Sequence, residues 1–550
     1  MKASDLFVKC LEKEGVEYVF AVPGEENLDL VESIRTSKIK LIVNRHEQCS
    51  AFMAATYGRL TGKVGVCMST LGPGATNLVT GIASAQLGGM PLLAITGQKG
   101  IRDSLQGNFQ VVDVVGMMKP LTKRSVSLKG PKSIPKEIRG AFKTATTERQ
   151  GACHIELPED IADEEVGEPF SKPFEPSILR RPNPDAKAVS IAAGIIRGSK
   201  HPVIIISSRG QRARVSASIK KFCSATNLYA IHTQLGKGVL GDGHKNSLYA
   251  FGLHKKDYVN CVVEKADLII TIGYATQEHP PSVWNKHLTK KILHIDFTPA
   301  ETEVFYEPTV ELIGDISASL DMLREELSGY RANSSYCEKI KKELDKRLFT
   351  EGADDEHYPL RPRRIVADCR KALGKEDILC LDNGIYKLWF SRHYRTYEIC
   401  TFLLDNTLAS MGAGLPSAMA AKMVHPDKKV LAVVGDGGFM MNSQELETAF
   451  RLKLPLVILI LNDNAYGFIK WKQEGFKFGA YGLDLGNPDF VKYAESYGAL
   501  GYKVKKAGEL LPLLEKAFKH KGPVIIECPI DYSENKKVWT EELEQINCPI

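Results

Sequence analysis

The segment from Val430 to Gly467 carries two acidic turns, Gly435-Asp436-Gly437-Gly438 and Asn462-Asp463-Asn464, at the ends of what reads as one strand–helix–strand unit. In a right-handed unit of that kind both strands run parallel. The residues that follow each strand then emerge at the same sheet edge, which brings Asp436 to Asp463. Two carboxylates beside glycines whose amides stand free at a helix N-terminus suit a hard cation, Mg²⁺, bridging to a diphosphate. A Gly-Asp-Gly alone is more often a plain tight turn. The pairing of the two turns across one unit is what gives the metal reading its weight.

The elements that must position these turns are legible in the same stretch. VLAVV and LVILIL are strands, and NSQELETAFRLK between them is a helix. Short β-branched runs alternate with helical patterns along most of the 550 residues, so the fold class is α/β with parallel sheets. An acidic, proline-rich stretch from Pro158 to Pro184 and a second break near HYPLRPRR divide the chain into units at 1–172, 185–345 and 358–550. In the middle unit PVIIIS, LYAIHT, ADLIITIG and KILHIDF read as strands. With 72 Lys and Arg against 66 Asp and Glu, the net charge is +6 and no basic block stands out, so nucleic acid is not an expected partner. The longest apolar runs fall far short of a membrane span. The N-terminal stretch reads as an amphipathic helix and not a signal peptide, which leads to the expectation of a cytoplasmic protein. Twelve scattered cysteines without a CxxC pair are expected to be reduced core residues.

Taken with the two acidic turns, three further motifs resemble the thiamine diphosphate-dependent acetolactate synthase family over nearly the entire chain. NRHEQCSAFMAATYGRLTGK followed by the GPGATN turn is similar to its pyrimidine-binding domain, and GDGG followed by NDNA to its diphosphate and metal motif. IGYATQEHPPSVWN and HIDFTPAETEVFYEPTVELIGDI resemble the catabolic, flavin-independent members. The resemblance implies three doubly wound parallel-sheet domains, with 1–172 binding the pyrimidine, 185–345 central, and 358–550 binding diphosphate and Mg²⁺. It implies thiamine diphosphate and Mg²⁺ as cofactors, with FAD not expected. It also implies a transferase and carboligase that decarboxylates pyruvate and joins the hydroxyethyl unit to a second pyruvate, giving 2-acetolactate and CO₂. Another thiamine diphosphate-dependent 2-keto acid decarboxylase or aldehyde ligase is the alternative, since the cofactor motifs are shared. A nicotinamide dehydrogenase is disfavoured because no GxGxxG follows a strand with an acidic residue downstream.

Site residues carry over by position. Glu47 of HEQ matches the glutamate that bonds the pyrimidine N1′, so one carboxyl group acts as acid and base through the cofactor. Asp436 and Asp463 match the metal-binding side chains, and Ala465 the backbone carbonyl ligand. Position 463 is Asn in many relatives, yet Asp still offers an oxygen. Gly437 and Gly438 match amide donors to the phosphates, and Gly435, Tyr466 and Gly467 complete that turn region. Asn383, Gly384, Ile385 and Tyr386 fall where relatives have a Gly-Gln-His-like loop, so only backbone roles transfer. Met411 matches the wedge that bends the cofactor, although a Met there serves equally well as core filling. Ala409 matches a backbone carbonyl facing the 4′-amino group. Phe109 and Gln110 match the pair lining the substrate cavity, followed here by Val111 where relatives often have Glu. Pro23 and Gly24 match the loop closing over the pyrimidine, for which a plain turn is the competing reading. Lys472 stands where flavin-containing relatives carry Trp, with Trp471 beside it, which favours two pyruvates as substrates. The family pattern implies a homodimer or homotetramer with each site at the dimer interface, and no nucleic acid or membrane partner.

Overall fold

The computed structural model describes residues 1–102, 109–177, 181–253 and 259–541. Eighteen strands form three six-stranded sheets, and every pairing between these strands is parallel. The first sheet contains β1 (Tyr18–Ala21), β2 (Lys40–Val43), β3 (Gly65–Ser69), β4 (Leu92–Gln98), β5 (Arg124–Ser127) and β6 (Ala152–Pro158), in the order β2-β1-β3-β4-β6-β5. The second contains β7 (Pro202–Ile206), β8 (Tyr229–His232), β9 (Ser247–Ala250), β10 (Leu268–Ile272), β11 (Lys291–Asp296) and β12 (Val310–Ile313), in the order β12-β11-β10-β7-β8-β9. The third contains β13 (Ile378–Leu381), β14 (Phe402–Leu404), β15 (Val430–Gly435), β16 (Val457–Asn462), β17 (Leu500–Lys503) and β18 (Val524–Pro529), in the order β14-β13-β15-β16-β18-β17. The first and third sheets therefore share one strand order, and the middle sheet has another.

The central strands are apolar without alternation because helices cover both sheet faces. Val457 to Leu461 are all buried, as are Leu268 to Ile272. Edge strands β9 and β12 complete the middle sheet; neither was anticipated among its four expected strands, because four-residue runs such as SLYA and VELI carry little periodic signal.

The first and third domains meet through two helices with small residues at the contact. Helix Glu47–Thr61 is buried from Cys49 to Gly58, and its Ala51, Ala54 and Ala55 share one apolar cluster with Ala418, Ala420 and Ala421 of helix Gly414–Val424. Thr56 Oγ1 donates to Ser417 Oγ at 3.0 Å in that contact. Beside it, Glu445 accepts from Asn44 Nδ2 (3.0 Å) and from the amides of Arg45 (2.8 Å) and His46 (3.1 Å), which charge assistance makes stronger than neutral pairs.

Among the described residues ten cysteines are free thiols, nine of them buried. Cys261 is disulfide-bonded, which corrects the expectation of reduced thiols throughout. Spacing along the chain gives no sign of such a pairing.

Candidate active site

Gly435, at the end of β15, stands opposite Leu461 of β16, so Asp436 and Asp463 leave the same edge of the third sheet. The helix begins earlier than the expected NSQELETAFRLK: Asp436 is the first residue of helix Asp436–Asn442, and a second helix, Glu445–Arg451, follows. The GDGG turn is thus the first helical turn itself, with extended Gly435 as its cap. Its glycines keep the unpaired N-terminal amides uncovered. A Cβ on Gly437 would come within 2.8 Å of the Tyr466 ring, one on Gly438 within 2.6 Å of Asp382 Oδ2, and one on Gly467 within 2.5 Å of Asp463 Oδ2. The backbone is that close because Asn464 holds a left-handed φ of 53° and the chain turns sharply after β16.

Asp436 is buried, Asp463 is half-buried, and the charge of the first acts on the second. Burial, and then the charge of Asp436, push the Asp463 pKa up to about 7. Burial also raises Asp436, with Asn487 opposing that shift. Asn487 Nδ2 donates to Asp436 Oδ2 at 2.7 Å and lies 3.2 and 3.1 Å from the side-chain oxygens of Asn462 and Asn464. Asn487 was not found from sequence, since LGNPDF carries no motif. It is delivered by the segment that bridges Asp484 to Ala465 and Leu485 to Asn464.

Asp436 and Asp463 line a cavity of about 280 Å³. Of the expected site, it gathers Asn383, Gly384, Ile385, Tyr386, Ala409, Met411, Gly435, Asp436, Gly437, Gly438, Asp463, Ala465, Tyr466 and Gly467. Lys387 and Tyr532 also line it and were missed; Tyr532 follows β18, far along the chain. The Tyr386 hydroxyl accepts the Gly435 amide at 2.8 Å and so holds the end of β15.

Asp382, likewise missed, is fully buried beneath the cavity. It accepts from the amides of Asn383 (2.8 Å) and Gly412 (2.9 Å), while burial pushes its pKa up to about 6. Asn442 Nδ2 donates to the Gly412 carbonyl at 2.7 Å. Gly412 at φ 85° and Ala409 at φ 58° turn the chain on both sides of Met411. Met411 is only half-buried and lines the cavity.

The remaining expected residues form a second group at the corresponding edge of the first sheet. Glu47 begins helix Glu47–Thr61, and its Oε2 accepts from Asn77 Nδ2 at 3.0 Å. A Cβ on Gly74 would stand 3.4 Å from Glu47 Oε1. A Cβ on Gly72 would meet the Gln110 carbonyl at 2.6 Å, and one on Gly24 would meet Thr70 at 2.5 Å. Gly24, Glu47 and Gln110 therefore converge on the loop after β3. Pro23 is exposed, and Phe109 is 74% exposed. No residue of this first-domain group lines the third-domain cavity.

The chain matches three family models: "Thiamine pyrophosphate enzyme, N-terminal TPP binding domain" over residues 1–117, "central domain" over 189–323 and "C-terminal TPP binding domain" over 382–528. It is 33% identical to an acetolactate synthase of Bacillus subtilis (strain 168), covering 98% of this chain and 95% of that one. It is 32% identical to a catabolic acetolactate synthase of Raoultella terrigena, covering 97% and 95%. It is 33% identical to a probable acetolactate synthase large subunit of Methanocaldococcus jannaschii, covering 97% and 93%. The same two sheet edges that hold the converging side chains are those spanned by the N- and C-terminal matches, and the chain belongs to the thiamine diphosphate-dependent acetolactate synthase family.

Proposed function

We propose that the protein condenses two molecules of pyruvate to 2-acetolactate and CO₂, using thiamine diphosphate and Mg²⁺ and no flavin. The observation that carries this reading is one cavity lined both by the paired carboxylates Asp436 and Asp463 and by Ala409 and Met411 of the clamped loop. The residues fit the cofactor. A carboxyl group pushed up to about 7 by burial and then by its neighbour's charge is relieved when a divalent cation joins the pair. Among the described residues no group of three or more His, Cys, Asp and Glu gathers, so the cation would rely on two carboxylates, the Ala465 carbonyl and water, an all-oxygen set suited to Mg²⁺. The glycine cradle leaves amides for the phosphates.

Bound there, thiamine diphosphate would supply the electron sink that decarboxylation of a 2-keto acid requires. Met411 would press on the cofactor from below, and Ala409 would offer its carbonyl to the ring amine. Glu47 would hold a proton against the pyrimidine N1′, with Asn77 fixing the carboxyl group. Phe109 and Gln110 would line the substrate space.

Because the described residues lining the cavity all belong to the third domain, Glu47 would reach it from a second copy of the chain, in a homodimer or homotetramer with composite sites. Exposed apolar side chains on the third domain support that arrangement: Ile469 (51%), which lines the cavity, and Phe476 (67%), Phe478 (66%) and Tyr481 (88%) further along the chain. Among the described residues no helix is long and apolar enough to cross a membrane, and a cytoplasmic setting accords with the ten free thiols. The test is to incubate the purified, flavin-free protein with pyruvate, thiamine diphosphate and Mg²⁺ and identify the product. Acetolactate supports the reading, and acetaldehyde as the main product overturns it.

A further inference from the structure

The third-domain cavity carries charge of both signs. Asp436 and Asp463 supply its acidic lining, and among the described residues Lys387 is the only cationic side chain lining it. Lys387 Nζ donates to Asn383 Oδ1 at 2.8 Å. Asn383 Nδ2 in turn donates to the carbonyls of Asp405 (2.9 Å) and Ser410 (2.8 Å), and Ser410 sits between Ala409 and Met411. The ammonium group is thereby tied through Asn383 to the loop that carries Ala409 and Met411. Electrostatics agree: the cation acting on Asp463 is Lys470, whereas Lys387 feels Asp405, Asp382 and Glu278.

An ammonium group has three donors, and Asn383 is the only hydrogen-bond partner of Nζ among the described residues. No carboxylate pairs with it directly there. A half-buried cation held by one neutral oxygen is incompletely solvated, and an anion entering the cavity would complete its shell. We propose that Lys387 receives the carboxylate of the 2-oxo acid substrate and so sets the preference for an acid over a neutral carbonyl compound. This rests on the proposed pyruvate chemistry and adds a specificity-determining residue to it. A carboxylate bound at Nζ would leave the keto carbon on the Met411 side of the cavity, where the wedge residue lies.

The experiment uses the holoenzyme and two non-reacting probes, oxamate and its neutral counterpart oxamide. Lys387→Gln keeps a donor for Asn383 while removing the charge, and Lys387→Arg keeps the charge. Calorimetric titration should show oxamate affinity falling roughly ten- to a hundredfold in Lys387→Gln and largely retained in Lys387→Arg. Thiamine diphosphate affinity, titrated in parallel, should stay unchanged. Oxamate affinity that does not fall in Lys387→Gln overturns the proposal, as does a parallel loss of thiamine diphosphate affinity, which would place the lysine on the cofactor. One arm needs no variant: wild-type protein that binds oxamide as tightly as oxamate also overturns it. The two readings separate in the wild type. Protein that binds oxamate through Lys387 but makes no acetolactate refutes the proposed reaction alone. Protein that makes acetolactate, with oxamate affinity indifferent to Lys387→Gln, refutes the lysine assignment alone.

Discussion

The first and third domains share one strand order, yet their site edges are built for different chemistry. At the edge of the first sheet a single carboxylate, Glu47, is oriented by one neutral amide, Asn77. At the edge of the third, Asp436 and Asp463 are pressed together under burial until their pKa values rise. The first arrangement suits holding one proton at one atom, and the second suits a divalent cation. A shared topology sets where side chains emerge; what they do follows from how many charges the local turn forces together.

The strongest way to break this comparison is to damage each edge separately. Glu47→Gln should cut turnover by roughly a hundredfold or more, the scale of a lost general acid–base group, with thiamine diphosphate binding nearly normal. Asp436→Ala should also be nearly inactive, but through lost binding of Mg²⁺ and cofactor together. When chains carrying each substitution are unfolded, mixed and refolded, heterodimers contain one site with both lesions and one with neither. Activity should therefore reappear. Verified heterodimers no more active than their parents would end the composite-site model.

Asp436→Ala on its own should weaken Mg²⁺ and thiamine diphosphate by about ten- to a hundredfold, the range for disturbed metal sites. Equilibrium titration checks it, and unchanged cofactor affinity would remove Asp436 from the metal site.

Proton competition gives a third effect. With its pKa near 7, Asp463 holds a proton in the metal-free protein below that pH, so apparent Mg²⁺ affinity should fall as pH drops through 7 and level off above it. The stability consequence has the opposite sign from a salt-bridged carboxylate. A folded-state pKa raised above the unfolded value destabilises the apoprotein in the ionised form. The penalty is absent below the ordinary aspartate range, grows as pH rises toward 7 and is complete above it. Asp463→Asn should therefore raise the Tm of metal-free protein at pH 8 and leave it almost unchanged at pH 4; equal shifts at both would refute the buried-pair account.

Asn487→Ala should have the smallest effect. Loss of one hydrogen bond to a charged acceptor is worth about 1.5–3 kcal/mol at most, and water can replace it here. A several-fold weaker Mg²⁺ affinity with turnover at saturating Mg²⁺ unchanged would show that the third-domain edge is tuned independently of the first.

Much of this was readable along the chain. Local apolar runs bounded by glycine and aspartate are self-contained signals, so VLAVVGDGG and LVILILNDNA identified both strands and both carboxylates, and parallel connection rules brought them together. HEQ and the GPGATN turn pointed to the first-domain edge only through the family resemblance, since a lone Glu after a strand carries no such signal. The start of helix Asp436–Asn442 was misplaced because glycines lower helix propensity and the sheet edge overrides it. Asp382, Lys387, Asn487 and Tyr532 escaped because no local pattern marks them. Three acquire their roles from a neighbour contributed by a distant segment: Gly412 for Asp382, Asp436 for Asn487, and the cavity wall for Tyr532; Lys387 bonds Asn383 only four residues away, and its place is set by the distant loop that Asn383 holds. Residue type and local spacing alone determined that the chain is a three-sheet α/β protein with two acidic turns at one edge, since those features depend on backbone periodicity and turn chemistry. Only the tertiary structure decided how deeply the carboxylates are buried, which amides hold them and where the one cavity cation points, because desolvation and hydrogen bonding are set by atoms remote in sequence and close in space.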